Sequence, residues 1–500
     1  MTDETRPETL PIKSDLSQQV SPALEATLAE PWWKQAVYTV AALAIPPAIL
    51  LIPTLFGVPR PPILLYVIAV PTVVAIALRS FWKPDWLLAA AVFYLPFNRI
   101  YVAPLAPGIN ATNALEALLL IAWLVHVFRE KRPMFVKLPF TRLLLIWAIL
   151  SFGSAITAMA TMGPGFIVDR LDSLKRWMDQ FIIFFAFVNL IRDGAMARRV
   201  CVYMMMGTLL VLLFGFDEWL VKRDYGSMER SRLLGPQGQP NDFGAFLAYG
   251  AALPAAWLLT YLRNPLVWIA TVPSFYLMAR ELLATFSRGA IMAVGFMGIV
   301  LLLIRGRLLL ALIAVFGALI VELAPALLPQ SLTARMSQTT DEGGEVKDAS
   351  ALNRLILWEA AGEIMMAYPL TGGGYETFPV LKDQYTKMPV KETDNHNMFL
   401  FIGSQMGIPA LMVFLLIFAK LFLEGARLSN IPDRFSRTIA LGGGAGLAAA
   451  VFGINMFGSR MVDICISAYV WITIAVFAHV IDEQRIAAAQ RAKTPTPISR

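Results

Sequence analysis

The sequence predicts an all-α fold, a polytopic membrane bundle of about 14 transmembrane helices (12 to 14) with a long outward loop that holds an amphipathic helix. Three observations carry this. The 500 residues are 57% hydrophobic and 15% charged, whereas soluble domains average about a quarter charged residues. The mean hydropathy is +0.62. Apolar stretches of roughly 20 residues, the length that crosses a bilayer as helix, recur along the chain. Short alternating segments of the kind that build membrane barrels do not occur.

Hydropathy places helices at roughly 36–56, 62–79, 85–98, 113–128, 140–161, 177–191, 199–221, 243–262, 265–282, 288–304, 308–328, 396–423, 436–457 and 461–481. The third is short enough to be re-entrant or tilted. Prolines at 46, 47, 53, 71 and 254 are expected to kink their helices. Residues 1–31 are polar, lack a basic start followed by an apolar core, and are expected to be a disordered tail rather than a cleaved signal. The chain then divides into a bundle at 32–328, a long loop at 329–395, further helices at 396–481 and a tail at 482–500.

Lysines and arginines orient the bundle. Arg79 and Lys83, the Arg129–Lys137 cluster, Arg192, Arg198 and Arg199, Arg263, Arg305 and Arg307, and Lys420 through Arg437 all fall in alternate connections. Putting that set in the cytoplasm places both termini there. The net charge of +7 is therefore explained by topology, and no nucleic-acid partner is expected. Cys201 and Cys465 lie in apolar spans, so neither a disulfide framework nor a metal cluster is expected. Asp169 and Asp172 lack a clear third ligand, and no metal or other cofactor is expected.

The basic residues on the opposite side run against this bias. They are Arg170, Lys175 and Arg176, then Lys222, Arg223, Arg230 and Arg232, then Arg280 and Arg288, with Arg354 in the long loop. Arginine forks suit phosphate oxygens, and phosphate at a membrane face is a lipid headgroup or a lipid-linked diphosphate. Alternatively these side chains snorkel or pair with Asp169, Asp172, Asp179, Asp224, Glu229, Asp242 or Glu281. His396, one of three histidines, stands in Asp394-Asn395-His396-Asn397 where the loop meets a helix. It is either a capping residue or a group that exchanges protons at the water-facing lip.

Inside the loop, residues from Ser350 to Pro369 suggest a helix on the outer membrane surface, with Leu355, Ile356, Ile364 and Met365 on one face and Glu359 and Glu363 on another. Gly372-Gly373-Gly374 is either a flexible turn or a phosphate-cradling one. No cytoplasmic nucleotide-binding domain is evident, so a reaction at the outer face needs a substrate activated beforehand. A transporter or lipid-linked oligosaccharide flippase is the alternative class. It would need charges in mid-span, of which Glu116 and Glu322 are the clearest.

Several segments together resemble the O-antigen ligase and polysaccharide polymerase superfamily of bacterial inner membranes. They are Arg232 through Gly244, Ser287-Arg288-Gly289-Ala290, Asn353-Arg354 through Trp358 to Gly374, His396-Asn397, and Gln405-Met406-Gly407. The resemblance covers about residues 230–415, and the first 160 residues match no motif. It implies an inverting, metal-independent glycosyltransferase of the inner membrane, with its site and the 329–395 loop in the periplasm. The donor it implies is an undecaprenyl diphosphate-linked glycan, and the acceptor a glycan or lipid A-core, with membrane lipids around. It further implies that His396 positions or deprotonates the acceptor hydroxyl, that Arg232 and Arg288 hold the diphosphate, and that Arg354 and Arg176 assist. Ligase and polymerase share this donor chemistry, and the lean is toward polymerase.

Overall fold

A computed structural model describes Lys34, Thr72 and residues 74–100, 104–106, 109–223, 225, 228–306, 349–386 and 390–493. The expected helices at 36–56 and 308–328, most of 62–79, Glu322 and the tail at 1–31 lie outside the described residues. Helices stand at the other eleven expected positions, and all but those at 85–98 and 177–191 are long and apolar enough to cross a membrane.

In chain order they are α1 (Asp85–Tyr94, continued by a 3-10 turn at Leu95–Phe97), α2 (Ala111–Glu130), α3 (Thr141–Met162), the short α4 (Pro164–Val168), α5 (Leu171–Leu190) and α6 (Gly194–Lys222). The short α7 (Met228–Ser231) leads to α8 (Pro240–Thr260), α9 (Pro265–Ala284) and α10 (Arg288–Arg305). Then come α11 (Ala349–Ala367), α12 (Phe378–Tyr385), α13 (Met398–Leu428), α14 (Arg434–Asn455) and α15 (Ile464–Lys493). A two-stranded antiparallel pair, Pro104–Ala106 with Ile109–Asn110, precedes α2.

Among the described residues nine helices are long and apolar enough to cross a membrane, and the protein is a polytopic membrane helix bundle. The apolar helix at Asp85–Phe97 would rise only about 20 Å, too little to cross a bilayer upright. α5 begins at Leu171, six residues before the expected 177, because its first turns carry Asp172, Lys175 and Arg176 and so give no hydropathy signal. Lys175 and Arg176 thus stand on a helix rather than in a loop.

α14 and α15 are the most enclosed spans, with 89% and 94% of their apolar windows buried, so the bundle is assembled around them. Lipid offers little hydrophobic drive between helices, so close approach depends on small residues. In the π-helical middle of α14 (Ile439–Gly446), a side chain added at Gly444 would lie 2.6 Å from the Gly425 Cα of α13. Trp147 of α3 joins four helices at its indole. Trp177 and Phe181 of α5, Phe414 of α13 and Trp471 of α15 lie with ring centroids 5.2–5.5 Å away.

One end of the bundle gathers the connections richest in arginine. Arg192 pairs with Glu130 at 2.6 Å, Arg199 with Asp85 at 3.2 Å and Arg198 with Asp433 at 3.6 Å, while Arg129 donates to the Phe81 carbonyl at 2.6 Å. The opposite end carries the starts of α8, α10, α13 and α15, and His396.

Candidate functional site

The start of α13 decides what His396 is. The cap is Asn397, whose Oδ1 accepts the Phe399 and Leu400 N–H groups at 3.0 and 3.1 Å. His396 precedes that cap in a left-handed conformation, φ +54°. The capping role is therefore filled by its neighbour, and the imidazole is left for other work. Asp394 stands beside it: Oδ1 accepts the His396 backbone N–H at 3.1 Å, and Oδ2 lies 3.2 Å from Nδ1, close enough to pair with a charged ring though not aligned as a hydrogen bond. The Ser459 hydroxyl donates to the same Oδ1 at 2.8 Å. Burial alone would raise the Asp394 carboxyl, but His396 and Ser459 more than offset it, so it stays below the ordinary carboxylate range.

α11 supports this segment from the loop side. The Trp358 indole donates to the Asn395 carbonyl at 2.8 Å, and Asn353 donates to Glu392 at 2.9 Å. The buried stripe of α11 is Leu357, Ala361 and Ile364, and it packs on Phe378 and Leu381 of α12. Leu355, expected on the apolar face, is exposed, because the stripe follows the protein contact one residue pair further round.

Gly372-Gly373-Gly374 is a packing device. α13 is broken at Gly407 (φ +86°), just before Pro409. The missing proline N–H would otherwise leave carbonyls without donors inside the span. Gly373 and Gly374 donate to the Ser404 and Gln405 carbonyls at 2.8 and 3.1 Å, and Ile408 donates to the Pro369 carbonyl at 2.8 Å. An added Cβ at Gly374 would lie 2.6 Å from the Ala158 nitrogen of α3. Those two N–H groups are committed to protein carbonyls, so of the two alternatives the turn is the one found, and it is wedged in place rather than flexible.

Arg232 donates to the Thr285 carbonyl at 2.9 Å and to Asn241 Oδ1 at 3.2 Å, so it lies across the connection that leads into Arg288. Arg288 is half-buried at the start of α10. A Cβ on the next residue, Gly289, would lie 3.1 Å from Phe457, while Asn397 donates to the Met456 carbonyl at 3.3 Å. The 456–460 connection between α14 and α15 therefore meets the starts of α10 and α13 together. Arg354 precedes Trp358 by one helical turn on α11. Arg176 donates to Ser173 at 2.9 Å on the flank of the loop, where the Ser173 carbonyl accepts the Tyr375 hydroxyl at 2.8 Å. Burial raises the neighbouring Glu376 carboxyl, against the pull of Arg170 and Arg176.

Residues 273–415 match the family model described as O-antigen ligase. That stretch of the chain is therefore similar to the O-antigen ligase family. No curated protein matches the sequence. The O-antigen ligase segment contains Arg288, Arg354 and His396, while Arg176 and Arg232 lie before it.

Several charges on this end of the bundle have structural partners. Lys175 pairs with Glu116 at 2.7 Å and Asp179 at 2.9 Å, Lys222 with Glu218 at 2.6 Å, and Arg280 lies 3.2 Å above the Trp219 ring. Asp242 takes residues not singled out from the sequence: Arg460 at 2.6 Å on one oxygen and Arg99 at 2.9 Å on the other, with Asp463 also on Arg99 at 2.9 Å. The available signal was Arg460-Met461-Val462-Asp463, two opposite charges in a short connection between two apolar spans. Among the described residues no group of three His, Cys, Asp or Glu is gathered as a metal would require.

An apolar cavity of about 360 Å³ lies between α10, α13 and α14, lined by Phe296, Phe399, Phe414, Phe418, Phe422 and Phe452 among others. Phe399 stands three residues after His396, and Phe296 and Phe452 are exposed on the outside of the bundle.

Proposed function

We propose that this protein is a membrane glycosyltransferase of the bacterial inner membrane that moves a glycan from undecaprenyl diphosphate to an acceptor hydroxyl at the periplasmic face. One observation carries the reading: a histidine beside a carboxylate, excused from capping, belongs to a segment that meets the 456–460 connection, and that connection also meets the start of α10, which bears Arg288, and the start of α8, which Arg232 bonds. His396 takes the proton of the acceptor hydroxyl, and Asp394 stabilises the imidazolium that forms. Arg232 and Arg288 meet the charge that develops on the departing diphosphate, and Arg354 and Arg176 help hold the donor and its loop. Guanidinium charge does here what a divalent cation would do elsewhere, so the reaction is metal-independent. Attack from the face opposite the diphosphate inverts the anomeric centre.

The Phe-lined cavity below His396 suits one stretch of isoprenoid tail, with its mouth toward lipid. Both termini lie in the cytoplasm in this orientation. The acceptor is a second lipid-linked glycan, as in a polymerase, or lipid A-core, as in a ligase.

The test is incubation of purified protein with undecaprenyl diphosphate glycan and each acceptor, with His396→Ala and Arg288→Ala alongside. New glycosidic product that both substitutions abolish supports the reading. Transfer that survives both overturns the site, and donor crossing liposomes without any bond formed overturns the activity.

A further inference from the structure

The connection between α14 and α15 is pinned to α8 at two places. Arg460 pairs with Asp242 at 2.6 Å, with side chains 11% and 8% exposed. Its backbone N–H also donates to Asn455 Oδ1 at 3.1 Å, and Asn455 Nδ2 donates to the Tyr249 hydroxyl at 2.9 Å. The same connection touches the histidine segment at two places. Ser459 donates to Asp394, and the Met456 carbonyl accepts from Asn397. Asp242 follows Asn241, which accepts from Arg232.

A largely buried carboxylate shared by two guanidinium groups is stiff, because freeing any one charge leaves another desolvated. The path from Arg232 through Asn241, Asp242, Arg460 and Ser459 to Asp394 therefore joins the arginine half of the site to the histidine half. Each of its ion pairs and side-chain bonds is made between elements far apart in sequence, apart from Arg232 with Asn241. His396, Arg232 and Arg288 belong to three separate segments, so some element must set their separation.

We propose that Arg460, held by Asp242, is a positioning residue that fixes His396 relative to the donor arginines through Ser459 and Asp394. This rests on the glycosyltransferase reading above. Arg460 acts through the histidine rather than on the donor. Its loss lowers turnover and leaves donor affinity in place.

The experiment compares full-length wild type with Arg460→Gln, Arg460→Lys, Ser459→Ala, the Arg460→Gln/Ser459→Ala pair and His396→Ala, using undecaprenyl diphosphate glycan as donor. Arg460→Gln and Ser459→Ala are each expected to lower kcat by about tenfold, with donor KM unchanged within about twofold. The pair is expected to be no worse than the poorer single, since both break one path. Arg460→Lys keeps the charge and recovers part of the loss.

A rise in donor KM with kcat kept would make Arg460 a donor contact and overturn the proposal, as would losses that multiply in the pair. Thermal unfolding in detergent identifies a variant that fails to fold. If Arg460→Gln does, Ser459→Ala decides alone, and full kcat there also overturns the proposal. An active His396→Ala defeats the underlying function. An inactive His396→Ala beside fully active Arg460→Gln and Ser459→Ala defeats only the positioning role.

Discussion

Asp394→Asn removes one charge and puts an amide N–H donor opposite Nδ1 in place of an acceptor, while the amide oxygen still accepts from Ser459 and the His396 N–H. The carboxylate oxygen stands 3.2 Å from Nδ1. Coulomb's law at that distance gives about 1.3 kcal/mol in water and about 5 kcal/mol at an effective dielectric of 20. The side chains are 29% and 38% exposed, which puts the pair toward the watery limit. An imidazolium forming in the transition state should therefore lose about 1.5–3 kcal/mol of support, or about 10- to 150-fold in kcat. The assay is steady-state transfer at saturating donor, with Asp394→Glu as a charge-keeping control. A kcat within twofold of wild type, or a loss confined to donor KM, would refute the role given to Asp394.

Acid should find the same pair. The Asp394 carboxyl is held below its ordinary value, so its contribution to stability is present above the unfolded value of about 4 and is lost as pH falls through the lower folded one. Wild type should lose thermal stability across that window, and Asp394→Asn should not share the step. Gly407→Ala puts a Cβ 2.4 Å from the Leu370 carbonyl at φ +86° and should cost about 2–4 kcal/mol. Gly362→Ala, with nothing within 4 Å, should be neutral or mildly stabilising, and thermal unfolding in detergent compares the two. Asn397→Ala removes the α13 cap and should cost about 1 kcal/mol, with Asn397→Ser keeping most of it. Ala449→Trp fills the Phe-lined cavity and should raise donor KM about tenfold at nearly constant kcat; unchanged KM would remove the isoprenoid seat.

The spans were legible because membrane helices advertise themselves by length and apolarity, and the resemblance ordered Arg232, Arg288 and His396 along the chain. What stayed hidden was held by contacts between distant residues. Arg460 meets Asp242 across 218 positions, and no local pattern forecasts such a pair. The charged first turns of α5 fell below the hydropathy signal, although they are helix. The three glycines read as a flexible or phosphate-cradling turn because their acceptors, the Ser404 and Gln405 carbonyls, become available only when α13 breaks at Gly407. His396 resembled a cap because Asn397, equally able to cap, stood beside it.

The wedge of Gly373 and Gly374 into the broken α13 also sets an order of assembly. The wedge is made earlier in translation than the carbonyls it serves, so the glycine turn has nothing to close on until α13 has been made. Asp394 waits longer still, for Ser459 between the last two helices. A nascent chain halted before residue 459 holds His396 and the arginines of 232 and 288 yet lacks the connection proposed to align them. On the function proposed above, such a chain would meet its lipid substrate before it was able to consume it.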